Sequence, residues 1–269
     1  MAEWLYQRDG DRLVPSKLVR GPWSAAHCHG GPPFGLLVTA IVDRWSGMGM
    51  TRATMDIPGP IPLTPVRIET EVLRPGKRIT HVAATMTDID GAPFARATAW
   101  MIRTDREVVP ATTDDRDPPP DRSEGKAINL DFWDGEGDFG LAVEMVGVEG
   151  RPFRGVGGTT AVWIRIPVPL IAGELTNPYA FAAMAADFPN GIAALGGLDE
   201  LICVNTDTTV YYGRAPVGDW IALRSRTNSS GLGLGMTDSL LYDASGFIGT
   251  ANQSIFFDVV SRREPNGVP

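Results

Sequence analysis

The sequence predicts an α+β protein of two like units, each an antiparallel sheet wrapped around a central buried helix. Three observations carry this. Pro32 to Trp45 and Thr176 to Asp187 read as helices that are apolar on nearly every side, and a helix without a polar face is buried on most sides. Strand-like runs separated by turn chemistry follow each of them. The order strand, apolar helix, four antiparallel strands occurs twice, and a sheet laid around one helix buries both.

In the first half, Arg12 to Arg20 form a short β-type segment and GPWSAAHCHGG a loop. The helix from Pro32 carries its prolines at the start, where they are tolerated. Leu36, Leu37, Val38, Ala40, Ile41 and Val42 cover its circumference, with one late acid, Asp43. MTRATMDI, VRIETEVL, ITHVAATMT and FARATAWMIR follow as strands, broken by PGPIPLTP, RPGKR and DIDGAP. Asp105 to Lys126, rich in Asp, Arg and Pro, has no apolar period and reads as an exposed linker. LAVEMVGVEG and GGTTAVWIRIPVPL then open the second half. Its helix has Thr176 or Asn177 as cap and Pro178 at the first position; Asp187 is its last-turn acid, and Pro189 with Asn190-Gly191 ends it. LICVNTDTTVYYGR, DWIALRSRTNSS, LGMTDSLLYD and FIGTANQSIFFDV are the closing strands. A loose alignment of the halves sets Gly91 on Gly246 and Thr98 on Gln253. The expected division is a first unit at 1–104, a linker at 105–128, a second unit at 129–262 and a polar tail at 263–269.

At 269 residues, 43% hydrophobic and 21% charged, the chain has a globular composition. A net charge of -8 with no basic stripe argues against a nucleic-acid partner. Two distant cysteines and three histidines supply neither a disulfide framework nor a zinc site. With no signal-peptide core and no apolar run of bilayer length, a cytoplasmic protein with no membrane partner is expected. Exposed sheet edges suggest a homo-oligomer.

HGGPPFGLL in the first half, then NTDTTVYYGRAPVGDW and DASGFIGTANQ in the second, resemble the type II acyl-CoA thioesterases, the TesB-like double-hotdog family, across nearly the whole chain. The resemblance implies two fused hotdog domains that hydrolyse the thioester of acyl-CoA without a metal or covalent cofactor, coenzyme A being part of the substrate. It also implies an attacking water held by three groups: an Asp near the end of the second helix, a Thr or Ser on the following strand, and a Gln on the last strand. The Asp falls on Asp187 and the Gln on Gln253. The hydroxyl position falls on Asn205, with Asp207 as the strand Asp. Here the chain departs from the pattern, because an amide can hold a water but is not a hydroxyl. Thr206 is the neighbouring hydroxyl, and on a regular strand it faces the other way.

Thioester hydrolysis needs a base for the water and donors for the oxyanion. Asp187 is the candidate base, and Asn205 and Gln253 the groups that orient the water. Taken singly, Gln253 also reads as an edge residue bound to water and Asn205 as a polar residue on a strand. Gly30 and Gly31 let the backbone approach a ligand, and amides at a helix start are ready donors. Arg74, Lys77 and Arg78 form a basic cluster for the coenzyme phosphates, with Arg214, Arg224 and Arg226 as others. His29 reads as a brace for its loop. Asp43 is expected as a helix-end surface residue, leaving one working site per chain. Phe34, Trp45, Tyr179, Phe181, Met184 and Phe188 read as core, with helix-facing members able to line a tunnel. Two rival readings stand. One is an acyl-CoA hydratase or dehydratase, whose D-x-N-P-x-H signature TNPYAF meets only at Asn177-Pro178. The other is a non-catalytic acyl-CoA or lipid carrier.

Overall fold

The computed structural model describes residues 3–22, 24–105, 107–112, 116–130, 138–197 and 200–259, so the expected polar tail lies outside the described residues. A hairpin of β1 (Tyr6–Asp9) and β2 (Arg12–Pro15) precedes the first apolar helix, α1 (Gly31–Arg44). Then come β3 (Met48–Asp56), β4 (Arg67–Arg74), β5 (Ile79–Thr87) and β6 (Pro93–Arg103). The second half has β7 (Lys126–Ala127), β8 (Glu144–Glu149) and β9 (Thr160–Arg165), then the helix α2 (Pro178–Ala185) and a short continuation, α3 (Pro189–Ile192). It closes with β10 (Leu201–Asn205), β11 (Asp207–Tyr212), β12 (Ile221–Ser229), β13 (Leu234–Asp243) and β14 (Gly246–Val259).

The halves join into one antiparallel sheet of 12 strands, ordered β4-β5-β6-β3-β11-β14-β13-β12-β9-β8-β7, with β10 also on β14. The seam is β3 against β11, where Thr209 and Thr54 pair and their hydroxyls bond at 3.0 Å. Each unit thereby covers an edge of the other. Inside the curve lies a single hydrophobic core that takes in both helices.

Both helices are buried as their composition requires. Phe34, Leu36, Leu37, Val38 and Ile41 of α1 are at most 1% exposed. Asn177 caps α2, accepting from the Tyr179 amide at 2.9 Å, while the Thr176 hydroxyl serves the Leu170 amide. Pro189 does not end the helical path. It opens α3, since a first position needs no N–H. Asp187 therefore sits at the joint between two helical segments. The helices run antiparallel and close together, and glycines make room for the contact. A Cβ on Gly31 would lie 2.8 Å from the Met184 carbonyl oxygen, and one on Gly35 2.6 Å from Met184 Cγ.

Two further features differ from the sequence reading. The linker does not hang free. Pro119 is buried, Trp163 Nε1 donates to the Pro120 carbonyl at 3.0 Å, and the Arg122 guanidinium stacks on Trp220 at 4.3 Å. LICVNTDTTVYYGR is also two strands. Its pairing with β14 runs from Leu201↔Val259 to Asn205↔Ile255, then resumes one residue out of step at Thr209↔Asn252. Thr206 and Asp207 both stand opposite Ser254: the Thr206 amide donates to its carbonyl at 3.0 Å, and Asp207 Oδ1 accepts its amide at 3.0 Å. This is a β-bulge, two residues against one.

The GRAPVGDW and DASG motifs meet as a clamp. Arg214 donates to both oxygens of buried Asp243 at 2.6 Å, and the Val217 and Ser245 amides add bonds of 2.9 and 2.7 Å. Burial pushes the Asp243 carboxyl up, but the Arg214 guanidinium and these amides outweigh it and hold it below the ordinary value. A lowered folded value gives stabilisation that is present above the unfolded value of about 3.9 and lost as pH falls through the folded one. Asp243→Asn is expected to cost about 3 kcal/mol of unfolding free energy near neutrality. It should also flatten the loss of stability on acidification below about pH 4, both read from denaturant midpoints across pH.

Candidate active site

Asp187 enters the interior at the end of α2, and its side chain is 6% exposed. Its Oδ1 accepts from Asn205 Nδ2 at 3.0 Å and from the Thr208 hydroxyl at 3.2 Å. Gln253, 1% exposed on the inner face of β14, donates through Nε2 to Thr208 Oγ1 at 3.3 Å. Its Oε1 accepts the Asn190 backbone amide at 3.0 Å. That last bond orients the rest. A backbone N–H can only donate, so Gln253 turns its oxygen to Asn190 and its NH2 to Thr208. Thr208 already accepts from Gln253 and has one proton to give, which goes to Asp187.

Oδ2 of Asp187 faces the start of α1. A Cβ on Gly30 would lie 2.7 Å from it, so only glycine fits there without moving the carboxylate. His29 Nδ1 is 3.0 Å from the same oxygen. The imidazole packs between Phe139 and Phe188, with ring centroids 5.0 and 4.7 Å away. Pro32 and Pro33 have no N–H, which leaves Gly30 and Gly31 as the donors at this helix end. The Gly31 amide donates to His29 Nδ1 at 3.0 Å, and the Gly30 amide makes no hydrogen bond among the described residues.

A cavity of about 310 Å³ opens here, bordered by Asp187, Asn205, His29 and Gly30 and walled by Phe153 and Phe188. Of the aromatic residues named from the sequence, Phe188 lines it, while Phe34 is wholly buried in the core. Cys28 and Cys203 also border it. Burial pushes their thiols up, to about 12 and about 11, so neither supplies a thiolate nucleophile near neutrality. Among the described residues no group of three or more His, Cys, Asp or Glu is placed to hold a metal ion.

The structure thus brings together Asp187, Asn205, Gln253, Gly30 and Gly31, and adds Thr208, His29 and Asn190. It does not bring Arg74, Lys77 and Arg78 to them. The Arg78 carbonyl accepts from the Arg103 amide, and Arg103 pairs with Met48, whereas the cavity borders Ile57, past the other end of β3. The cluster lies a strand length away, roughly 30 Å for such a strand. Arg214 and Arg224 are held by Asp243 and Glu149. Two other cations, Arg151 and Arg154, are exposed and without an ion pair among the described residues. They flank Phe153, whose φ of 59° turns the β8–β9 loop sharply at the cavity wall.

The pseudo-symmetric acid, Asp43, has no such surroundings. It is exposed at the end of α1, as expected: partial desolvation and then the Glu174 charge push its carboxyl up, with Arg8 opposing them. The inward residues of β6 are Ala97 and Ala99, both 0% exposed, and Thr98 faces the other side. Thr98 therefore does not hold the place of Gln253. Asn177 and Pro178 cap α2 at its far end, away from the cavity.

A sheet curved around two buried helices, with its polar cluster where one helix ends against the start of the other, is a double hotdog. Family models of the acyl-CoA thioesterase N-terminal and C-terminal domains match residues 19–102 and 109–257, so the chain belongs to the acyl-CoA thioesterases. Among solved structures it is similar to a conserved protein of unknown function with a hot dog fold from Alicyclobacillus acidocaldarius (TM-score 0.73, 18% identity, 94% of this chain and 95% of that one). It is also similar to the acyl-CoA thioesterase II TesB2 of Mycobacterium marinum (0.66, 16%, 96% and 96%). A third likeness is to the tesB protein of Mycobacterium avium subspecies paratuberculosis (0.65, 19%, 94% and 95%). At these identities the likeness is one of fold. No curated protein matches the chain. Among the described residues no helix is long and apolar enough to cross a membrane.

Gly30 is the position where backbone and carboxylate compete for one space. Gly30→Ala is expected to displace the Asp187 side chain and lower acyl-CoA turnover by about 10²-fold, with a melting temperature near that of wild type. Thiol release and a thermal melt check it together.

Proposed function

We propose that the protein hydrolyses the thioester of an acyl-CoA by a water that Asp187 activates, with one such site per chain. The observation that carries this is the one-way run of hydrogen bonds ending on Asp187. Asn190 N–H donates to Gln253, Gln253 to Thr208, and Thr208 and Asn205 to Oδ1. Oδ1 is occupied by Asn205 and Thr208, and Oδ2, beside Gly30 and 3.0 Å from His29 Nδ1, is the oxygen that takes the water's proton. The water oxygen bonds to the thioester carbon, the carbonyl oxygen takes up the negative charge, and the Gly30 amide is a ready donor to it. The C–S bond then breaks and the coenzyme leaves as a thiolate, which is reprotonated.

In this reading Asn205 and Thr208 hold the base, and Gln253 acts one step behind them through Thr208. Coenzyme A enters only as part of the substrate. Its phosphates are met by Arg151 and Arg154, which begin one peptide unit or two from the cavity-lining Phe153. A homo-oligomer remains part of the proposal, since β4 and β7 are open edges of the sheet.

Thiol release from a panel of acyl-CoAs tests the proposal. Wild type turns over at least one of them, and Asp187→Asn lowers kcat by about 10²–10⁴-fold. Turnover that survives Asp187→Asn removes the assigned base. Tight acyl-CoA binding with no turnover on any chain length favours a carrier. The double variant Arg151→Ala/Arg154→Ala is expected to raise KM several-fold and leave kcat in place, with the difference shrinking at high salt. An unchanged KM would move the phosphates elsewhere.

A further inference from the structure

We propose that His29 shares a proton with Asp187, and that the location of this proton decides whether the Gly31 amide is bound back or free. The use to which the enzyme puts this rests on the thioesterase reading, while the geometry stands apart from it. His29 Nδ1 has two neighbours at one distance: Asp187 Oδ2 at 3.0 Å and the Gly31 amide nitrogen at 3.0 Å. An imidazole nitrogen carries in its plane either a proton or a lone pair. A carboxylate oxygen at that distance needs a proton between the two atoms, and the Gly31 N–H needs the lone pair. One nitrogen cannot meet both demands in full.

Two arrangements follow. Nε2 carries its own proton in both. With the shared proton on Nδ1, the ring is an imidazolium that donates to an anionic Asp187, and the Gly31 amide loses its acceptor. With Nδ1 bare, the neutral ring holds the Gly31 amide and the shared proton is on Asp187. The ring has little room to avoid the choice. It is 10% exposed, the carboxylate 6%, and Phe139 and Phe188 press on it. Gly31 is fixed too, since a Cβ there would already touch the Met184 carbonyl.

In the first arrangement Asp187 is charged and able to take a proton from water, and the amides of Gly30 and Gly31 are both without acceptors at the start of α1. Base and oxyanion donors are therefore made ready by the same proton. The water's proton then goes to Oδ2 and from there to the departing sulfur, which restores the carboxylate and leaves the His29 proton where it began. His29 acts through Asp187 and Gly31, so it is a positioning residue.

The test begins without substrate. Protein carrying ¹⁵N-histidine and ¹⁵N-glycine is compared with its Asp187→Asn variant by NMR, His29 being assigned from the spectrum of His29→Asn or by through-bond correlation. The expected result is a ring protonated on both nitrogens in wild type and on Nε2 alone in Asp187→Asn, together with a shift of the Gly31 amide resonance. The same protonation of Nδ1 and the same Gly31 resonance in both proteins would overturn the proposal. In turnover, His29→Asn is expected to lower kcat by about 10²-fold with KM unchanged. A kcat at the wild-type level, or a fall in stability with KM and kcat moving together, would also overturn it. If wild type cleaves no acyl-CoA, the thioesterase reading fails, and the NMR comparison still decides the His29–Asp187 pair.

Discussion

The close antiparallel contact of α1 and α2 is the constraint on which the site depends. Glycines at 31 and 35 let the first helix approach Met184 of the second at backbone distance. That approach carries the end of α2 onto the beginning of α1. It also settles why an acid closes an otherwise apolar helix. At the C-terminus of α2 a carboxylate meets the negative end of a dipole, which is unfavourable. The start of α1 lies against the same carboxylate, and a helix N-terminus favours negative charge. Asn205 and Thr208 then satisfy the oxygen that turns away from α1. A buried carboxylate is tolerated when it is hydrogen-bonded, and here the hydrogen bonds come from the consecutive strands β10 and β11.

Much of this was legible in the sequence. Two all-apolar segments and the strand runs behind them were enough for the double wrapped sheet, because burial on all sides leaves a helix few other places. Asp187, Asn205 and Gln253 stand out in the sequence as a set only through the family resemblance, which places them in this order along the chain. Thr208 does not. On a regular strand it faces away from Asn205, three residues before it. The bulge at Thr206 and Asp207 moves the pleat by one and turns both inward, to 3.2 Å from each other. A bulge is a property of the pairing with β14, so β11 alone does not announce it. The trace it leaves in the sequence is Asp207, whose carboxylate takes the Ser254 amide that the irregular ladder would otherwise leave unpaired.

The basic cluster RPGKR is conspicuous by its charge alone, and charge near a turn says nothing about which end of the sheet the turn occupies. The register of β3, β5 and β6 decides that, and it sends Arg74, Lys77 and Arg78 to the end away from Ile57. Arg151 and Arg154 are less conspicuous in sequence, being separated by Pro152 and Phe153. The β8–β9 loop that carries them folds onto the end of α3 and the segment after it, where the Phe153 and Gly157 amides donate to the Ile192 and Ala194 carbonyls.

The inequality of the two halves has a physical origin in how each helix end is met. At Asp187 the partner helix begins with two glycines and two prolines, so backbone comes close and few amides are consumed. At Asp43 the charges that act are those of Glu174 and Arg8, and the inward residues of β6 are the alanines Ala97 and Ala99. The exposed acid is screened by water, and among the described residues no hydrogen bond orients it. The fused chain keeps the fold of two units while concentrating the polar groups in one. That follows from cost: each buried amide or hydroxyl must be paired or it destabilises the core. The second unit meets the requirement with one connected run from Asn190 to Asp187. The first unit avoids it by turning alanines inward on β6, which leaves its interior free to pack around α1.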